Sequence, residues 1–81
     1  MVDTAVPGAL AAELAGLWAQ VLGVDPVGMH DDFFDLGGDS FLAMRLVRLI
    51  HSQLGWKVTV TELFAGPTVA ELTKRIGAAQ T

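Results

Sequence analysis

Cysteine is absent from this chain of 81 residues. Its absence excludes disulfides, thiolate metal sites and a thiol nucleophile supplied by the protein. Proline is scarce, at three residues, while hydrophobic residues make up 52%, a balance that predicts a folded globule and not a disordered segment. Basic side chains are also few. Five lysines and arginines stand against nine acids, for a net charge of −4. That is a poor electrostatic footprint for nucleic acid and argues against a helical DNA-binding module. No apolar run reaches membrane-spanning length, and Met1-Val2-Asp3-Thr4 lacks the regions of a signal peptide. The expectation is a soluble, acidic, cytoplasmic domain, monomeric, with no membrane or nucleic-acid partner, whose partners carry positive charge. A chain this short buries only about 60% of its unfolded surface, which leaves room for one core and few walls for a water-excluding active site.

What is present reads as helix. Leu10, Leu14, Leu17, Trp18, Val21 and Leu22 recur at intervals of three and four, which predicts a first helix from about Ala9 to Leu22 with one buried stripe. Pro7-Gly8 precedes it and Gly23 stands where a left-handed cap belongs. From Val24 to Asp39 the helical period is lost, and Pro26, Gly28, Gly37 and Gly38 appear. So long a loop in a small domain is uncommon and tends to be functional. Phe33, Phe34 and Leu36, with help from Val27, are expected to anchor it to the core. A second helical period runs from Ser40 to Leu54 and closes at Gly55. Trp56-Lys57-Val58-Thr59-Val60 alternates like a strand, but with no second strand to pair its backbone it is read as an extended connection. Thr59…Glu62 and Thr68…Glu71 have capping-box spacing. The first opens a short turn that Gly66-Pro67 stops. The second opens a final helix with Val69, Leu72 and Ile76 inward, ending at Gly77. The predicted fold is all-α: a small four-helix bundle of three main helices and one short one, with a long loop between the first two. Residues 9–77 form the domain, with tails at 1–8 and 78–81.

The informative segment is Asp31-Asp32-Phe33-Phe34-Asp35-Leu36-Gly37-Gly38-Asp39-Ser40. Two glycines let the backbone turn tightly and leave the next serine uncovered. That serine begins a helix, where free amides and the macrodipole favour a phosphate. Other chemistries fit less well. A serine hydrolase needs a histidine held close by. His30 lies in the loop, His51 stands three turns down the helix, and no glycine follows the serine as in a nucleophile elbow. Asp31, Asp32, Asp35 and Asp39 do not have calcium-loop spacing. They read as solvated loop carboxylates, with a helix cap at Asp39. The glycine pair lacks the following lysine of a phosphate-binding loop.

The run Asp32 to Ser40 resembles the core motif of the peptidyl carrier proteins, or thiolation domains, of nonribosomal peptide synthetases. Leu17-Trp18, Val21-Leu22-Gly23 and Phe64-Ala65-Gly66-Pro67-Thr68-Val69 are similar to the same family at matching distances, so the likeness runs from about Ala9 to Ile76. It implies a four-helix bundle, which agrees with the helical periods. It also implies 4′-phosphopantetheine from coenzyme A attached to Ser40, with Gly37, Gly38 and Asp39 shaping the site. The arm brings its own thiol, so no protein nucleophile is required and no catalysis is expected. The implied partners are a phosphopantetheinyl transferase, an adenylation enzyme or domain, and condensation, thioesterase or tailoring enzymes. An acyl carrier of polyketide or fatty-acid synthesis is the alternative, but such carriers resemble one another in a single glycine and a leucine after the serine, where this chain has Gly37-Gly38 and Phe41.

At about 100° per residue from Ser40, Leu42, Leu46, Leu49 and Ile50 fall on the core side of the second helix. Phe41, Met44, Arg48 and His51 fall opposite, beneath Ser40, and are expected to meet partners, a role that suits methionine in particular. Scattered apolar residues are ordinary on a protein surface, so the weight of this reading rests on the shared face with Ser40.

Overall fold

The computed structural model describes residues 7–80, and their side chains over residues 9–77. Residues 1–6 and 81, parts of the two expected tails, lie outside that range. Four α-helices are present among the described residues: α1 (Pro7–Leu22), α2 (Ser40–Leu49), α3 (Val60–Ala65) and α4 (Val69–Gln80). No strand forms among them, and residues 55–59 run as an irregular connection.

Two boundaries and one helix type differ from the sequence reading. Helix α1 begins at Pro7, because proline has no amide hydrogen to leave unpaired in a first turn and its φ is already helical. The second helical stretch reaches Leu54 as expected, but its last five residues, Ile50–Leu54, form a π-helical turn. Helix α4 continues through Gly77 to Gln80. A helical glycine costs only about 1 kcal/mol relative to alanine, and Ala78, Ala79 and Gln80 beyond it favour helix.

The core draws one stripe from each helix. Leu14, Leu17 and Trp18 of α1 meet Ala43, Leu46 and Ile50 of the α2 stretch, Leu63 of α3, and Val69, Leu72 and Ile76 of α4. Phe33, from the long loop, is also fully buried, and its ring meets that of Trp18 edge to face at 5.7 Å and 86°. Phe34, Leu36 and Val27 pack partly buried against the core, so the loop is anchored by the residues expected to anchor it. Two backbone bonds secure it further: Phe33 N–H donates to the Pro67 carbonyl at 2.8 Å, and Ala70 N–H donates to that of Met29 at 3.0 Å. The second occupies an amide that the first turn of α4 would otherwise leave without a partner.

Caps fix the helix ends. Thr59 Oγ1 accepts from Glu62 N–H at 3.0 Å while Glu62 Oε1 accepts from Thr59 N–H at 2.9 Å, a complete capping box. At α4, Thr68 Oγ1 accepts from Glu71 N–H at 3.1 Å. Gly55 ends the π-helical turn with φ +77°, its N–H donating to the His51 carbonyl at 3.0 Å. With the starts of α3 and α4 capped and the long loop held, the start of α2 is left at the surface on a fixed base.

Candidate functional site

The approach to Ser40 is a wound loop. Asp32 Oδ1 accepts from the amides of Phe34 at 2.8 Å and Asp35 at 3.2 Å. Leu36 N–H then donates to the Asp32 carbonyl at 3.0 Å, and Gly38 N–H to that of Phe33 at 3.0 Å. Gly37 turns the chain at φ +110°, a conformation that side chains resist. Gly38 is needed for a different reason. A β-carbon there would overlap Cε2 and Cδ2 of the Phe33 ring and lie 2.8 Å from its carbonyl oxygen. The two glycines therefore have separate tasks, one of rotation and one of close approach.

Asp39 is the N-cap of α2. Its backbone is extended, its Oδ1 accepts from Leu42 N–H at 2.9 Å, and its carbonyl accepts from Ala43 N–H at 2.8 Å. Ser40 is therefore the first helical residue and is exposed. The cap occupies the third amide of the helix, so the amides of Ser40 and Phe41 remain at its positive end. An exposed hydroxyl beside two such donors fits a covalently attached phosphate.

Three of the four carboxylates from Asp31 to Asp39 are engaged by backbone amides. Asp31 Oδ2 accepts from Gly28 N–H at 2.9 Å, and Asp32 and Asp39 hold amides as described. No group of three or more ligating side chains that could hold a metal occurs among the described residues. His51 follows Ser40 by eleven residues, which places it about 16 Å along the helix axis, beyond reach of the hydroxyl.

Below Ser40, the outer side of α2 is as the spacing predicts. Phe41 is 74% and Met44 55% exposed, and Arg48 and His51 are exposed. On the inner side Leu46 and Ile50 are fully buried, while Leu42 and Leu49 flank them half-buried. Two surface residues were missed. Arg45 lines an open groove with Phe41, Met44 and Arg48; its spacing of four from Phe41 is the signal that would have found it. Phe64, half exposed, lies flat on Phe34 with ring centroids 4.8 Å apart. Its helix has six residues, too few to display a period.

Comparison with known proteins agrees with this geometry. Residues 12–76 match the family described as phosphopantetheine attachment site. Tyrocidine synthase 3 of Brevibacillus parabrevis is 51% identical over 65 residues, which is 80% of this chain and 1% of that protein. The chain thus spans about a hundredth of such a synthetase. Among solved structures, a type-II acyl-carrier protein of Streptomyces verticillus, BlmI, involved in bleomycin biosynthesis, superposes with a TM-score of 0.86 at 33% identity, covering 93% of this chain and 90% of that one. A peptidyl carrier protein solved in complex with the phosphopantetheine transferase Sfp and coenzyme A gives 0.81 at 32% identity, covering 85% and 90%.

Proposed function

The chain belongs to the phosphopantetheine attachment site family, and from that premise we propose that it is a peptidyl carrier domain whose Ser40 bears the arm. One observation carries the assignment to this residue. Ser40 is the exposed first residue of α2, set there by the Gly37-Gly38 turn against Phe33 and by the Asp39 cap. In the modification, Ser40 Oγ attacks the coenzyme A phosphorus that bears the pantetheine. A phosphodiester forms, the pyrophosphate bond breaks, 3′,5′-ADP leaves and the serine proton is released. A transferase supplies that chemistry, and this chain supplies a presented hydroxyl and the helix end.

Once modified, the carrier holds aminoacyl or peptidyl groups as thioesters and delivers them to enzymes that act in turn. An adenylation enzyme or domain loads it, and condensation, thioesterase or tailoring enzymes unload it. Tethering converts each transfer into a near-intramolecular event at high effective concentration, so the carrier itself needs no catalytic group. The reading includes a cytoplasmic location, where coenzyme A, ATP and free amino acids are supplied. Phe41, Met44, Arg48 and His51 belong to the face that these enzymes approach, because Ser40 stands at its upper end.

Incubation with a phosphopantetheinyl transferase and coenzyme A should add one phosphopantetheinyl mass to the chain and none to Ser40→Ala. Undiminished labelling of the alanine variant would overturn the assignment. Its fold should be retained, because the cap is Asp39 and alanine is favourable within a helix.

A further inference from the structure

Net charge alone suggests cationic partners for this chain. Its distribution suggests otherwise for one face. From Ser40 to Thr61 there is no acidic residue, while Arg45, Arg48 and Lys57 lie within those bounds. That stretch therefore carries +3, and the remainder of the −4 chain carries −7. Three of the five basic residues are gathered there, all of them exposed.

The fold turns this sequence asymmetry into a surface. One open groove is lined by Phe41, Met44, Arg45 and Arg48, and a second by Val47, Arg48, His51, Lys57, Val58 and Thr59. They share Arg48, so together they make one strip from the residue after Ser40 down to the connection before α3. From Phe41 to His51 the strip is about 15 Å long. Its lining combines apolar side chains, Phe41 and Met44 at the upper end and Val47 and Val58 at the lower, with the guanidinium groups of Arg45 and Arg48 and the ammonium group of Lys57. On the other side of Ser40 the charge reverses, with Asp35 and Asp39 exposed before it.

We propose that this strip docks a carboxylate-bearing face of the enzyme that loads the arm. The inference rests on the carrier reading above. Apolar side chains interspersed with cations fit a partner surface that combines apolar contact with aspartates or glutamates. The acidic loop opposes the same carboxylates if the partner is turned around, so the sign change across Ser40 fixes the direction of approach as well as favouring it. Charges at the edge of such a contact act mainly on the association rate and lose their effect in salt.

The test compares two double charge reversals on the phosphopantetheinylated chain. Arg48→Glu with Lys57→Glu alters the strip. Lys74→Glu with Arg75→Glu alters α4 by the same net charge and uses the other two basic residues of the chain. The readout is kcat/KM for aminoacyl loading by the adenylating enzyme that serves this carrier. At low salt the strip variant should lose at least about tenfold, with the loss shrinking as sodium chloride rises towards about 0.5 M. The α4 variant should stay within about twofold of the parent. Equal losses in both would mean that overall charge, not the strip, governs association, and normal or faster loading of the strip variant would remove the acidic partner face; either result overturns the inference. If glutamates unfold the strip variant, Arg48→Gln with Lys57→Gln replaces it, with a smaller salt-dependent loss expected and an unchanged rate counting against the proposal. Labelling by a transferase with fluorescent coenzyme A is run in parallel. If the parent chain fails to label, the carrier reading itself falls; if it labels and the loading rates do not separate, only the docking inference does.

Discussion

Gly38 lies with its α-carbon against the ring of Phe33, and its amide donates to the carbonyl of that same residue at 3.0 Å. The contact joins the most buried residue of the loop to the turn that delivers Ser40. A methyl group at Gly38 has no space, because both the ring and the carbonyl oxygen of Phe33 are in its way. Phe33 is fully enclosed and also meets Trp18, so it cannot swing aside. Gly38→Ala should therefore destabilise the domain by about 1–3 kcal/mol through overpacking and slow modification of Ser40 as the turn shifts. Thermal unfolding and transferase labelling rates are the checks. An alanine variant that melts and labels like the parent would show that the turn adjusts freely.

The inner face of α2 gives a second expectation. Leu46 is fully buried among residues of the other helices. Leu46→Ala should cost about 2–5 kcal/mol, the range for buried leucine truncations. Since small domains have total stabilities of about 5–15 kcal/mol, the loss should be plain in a denaturant titration. An unmoved midpoint would mean that Leu46 contributes little to the core.

Much of this molecule was legible in its sequence because its signals are local. The stripe of α1, the two-sided character of α2 and the capping box at Thr59 each depend on residues within one or two turns of each other, and each appears in the structure. What was not legible depends on distant contacts. Phe33 N–H reaches the Pro67 carbonyl and Ala70 N–H that of Met29, and no spacing rule joins residues more than thirty positions apart. Ala11 and Ala43 are buried, yet alanine carries too little hydrophobicity to mark a face. The π-helical turn at Ile50–Leu54 left no signal either, since its residues follow the same inward and outward order as α-helix over so few positions. At the site, the glycine pair was legible as a turn, but its division of labour was not. Only the packing of Phe33 shows that Gly38 serves close approach.

The short helix α3 offers a sharper test of local design. It has six residues, well below the length at which a helix is stable on its own, so its capping box matters in proportion. Thr59→Ala removes the acceptor for Glu62 N–H and weakens the reciprocal bond, since Thr59 Oγ1 also donates to Glu62 Oε1 at 3.3 Å. The expected cost is about 1 kcal/mol. It should fall mainly on α3, so hydrogen exchange of amides in residues 60–66 should accelerate more than exchange in α1. Uniform acceleration across all helices would show that α3 opens only with the whole domain.

The last expectation separates the contact surface of α2 from its core. Phe41 and Met44 are 74% and 55% exposed, so truncating either removes little that folding has buried. Surface substitutions of this kind usually move stability by no more than about 0.5 kcal/mol. Their effect on a partner should be larger, because interface energy concentrates in a few aromatic and similar anchors whose loss costs about 2 kcal/mol or more. Phe41 is the stronger candidate, adjacent to Ser40 in the chain and more exposed than Met44. Phe41→Ala should slow aminoacyl loading by about thirtyfold, the rate equivalent of 2 kcal/mol, with its melting temperature nearly unchanged. Met44→Ala should act in the same direction but less strongly, since a flexible thioether adapts to a partner without fixing it. Loading rates and thermal unfolding measured on the same preparations decide the matter. A large fall in melting temperature with normal loading would place both side chains in the folding core and move the partner face elsewhere, while the labelling of Ser40 would be untouched.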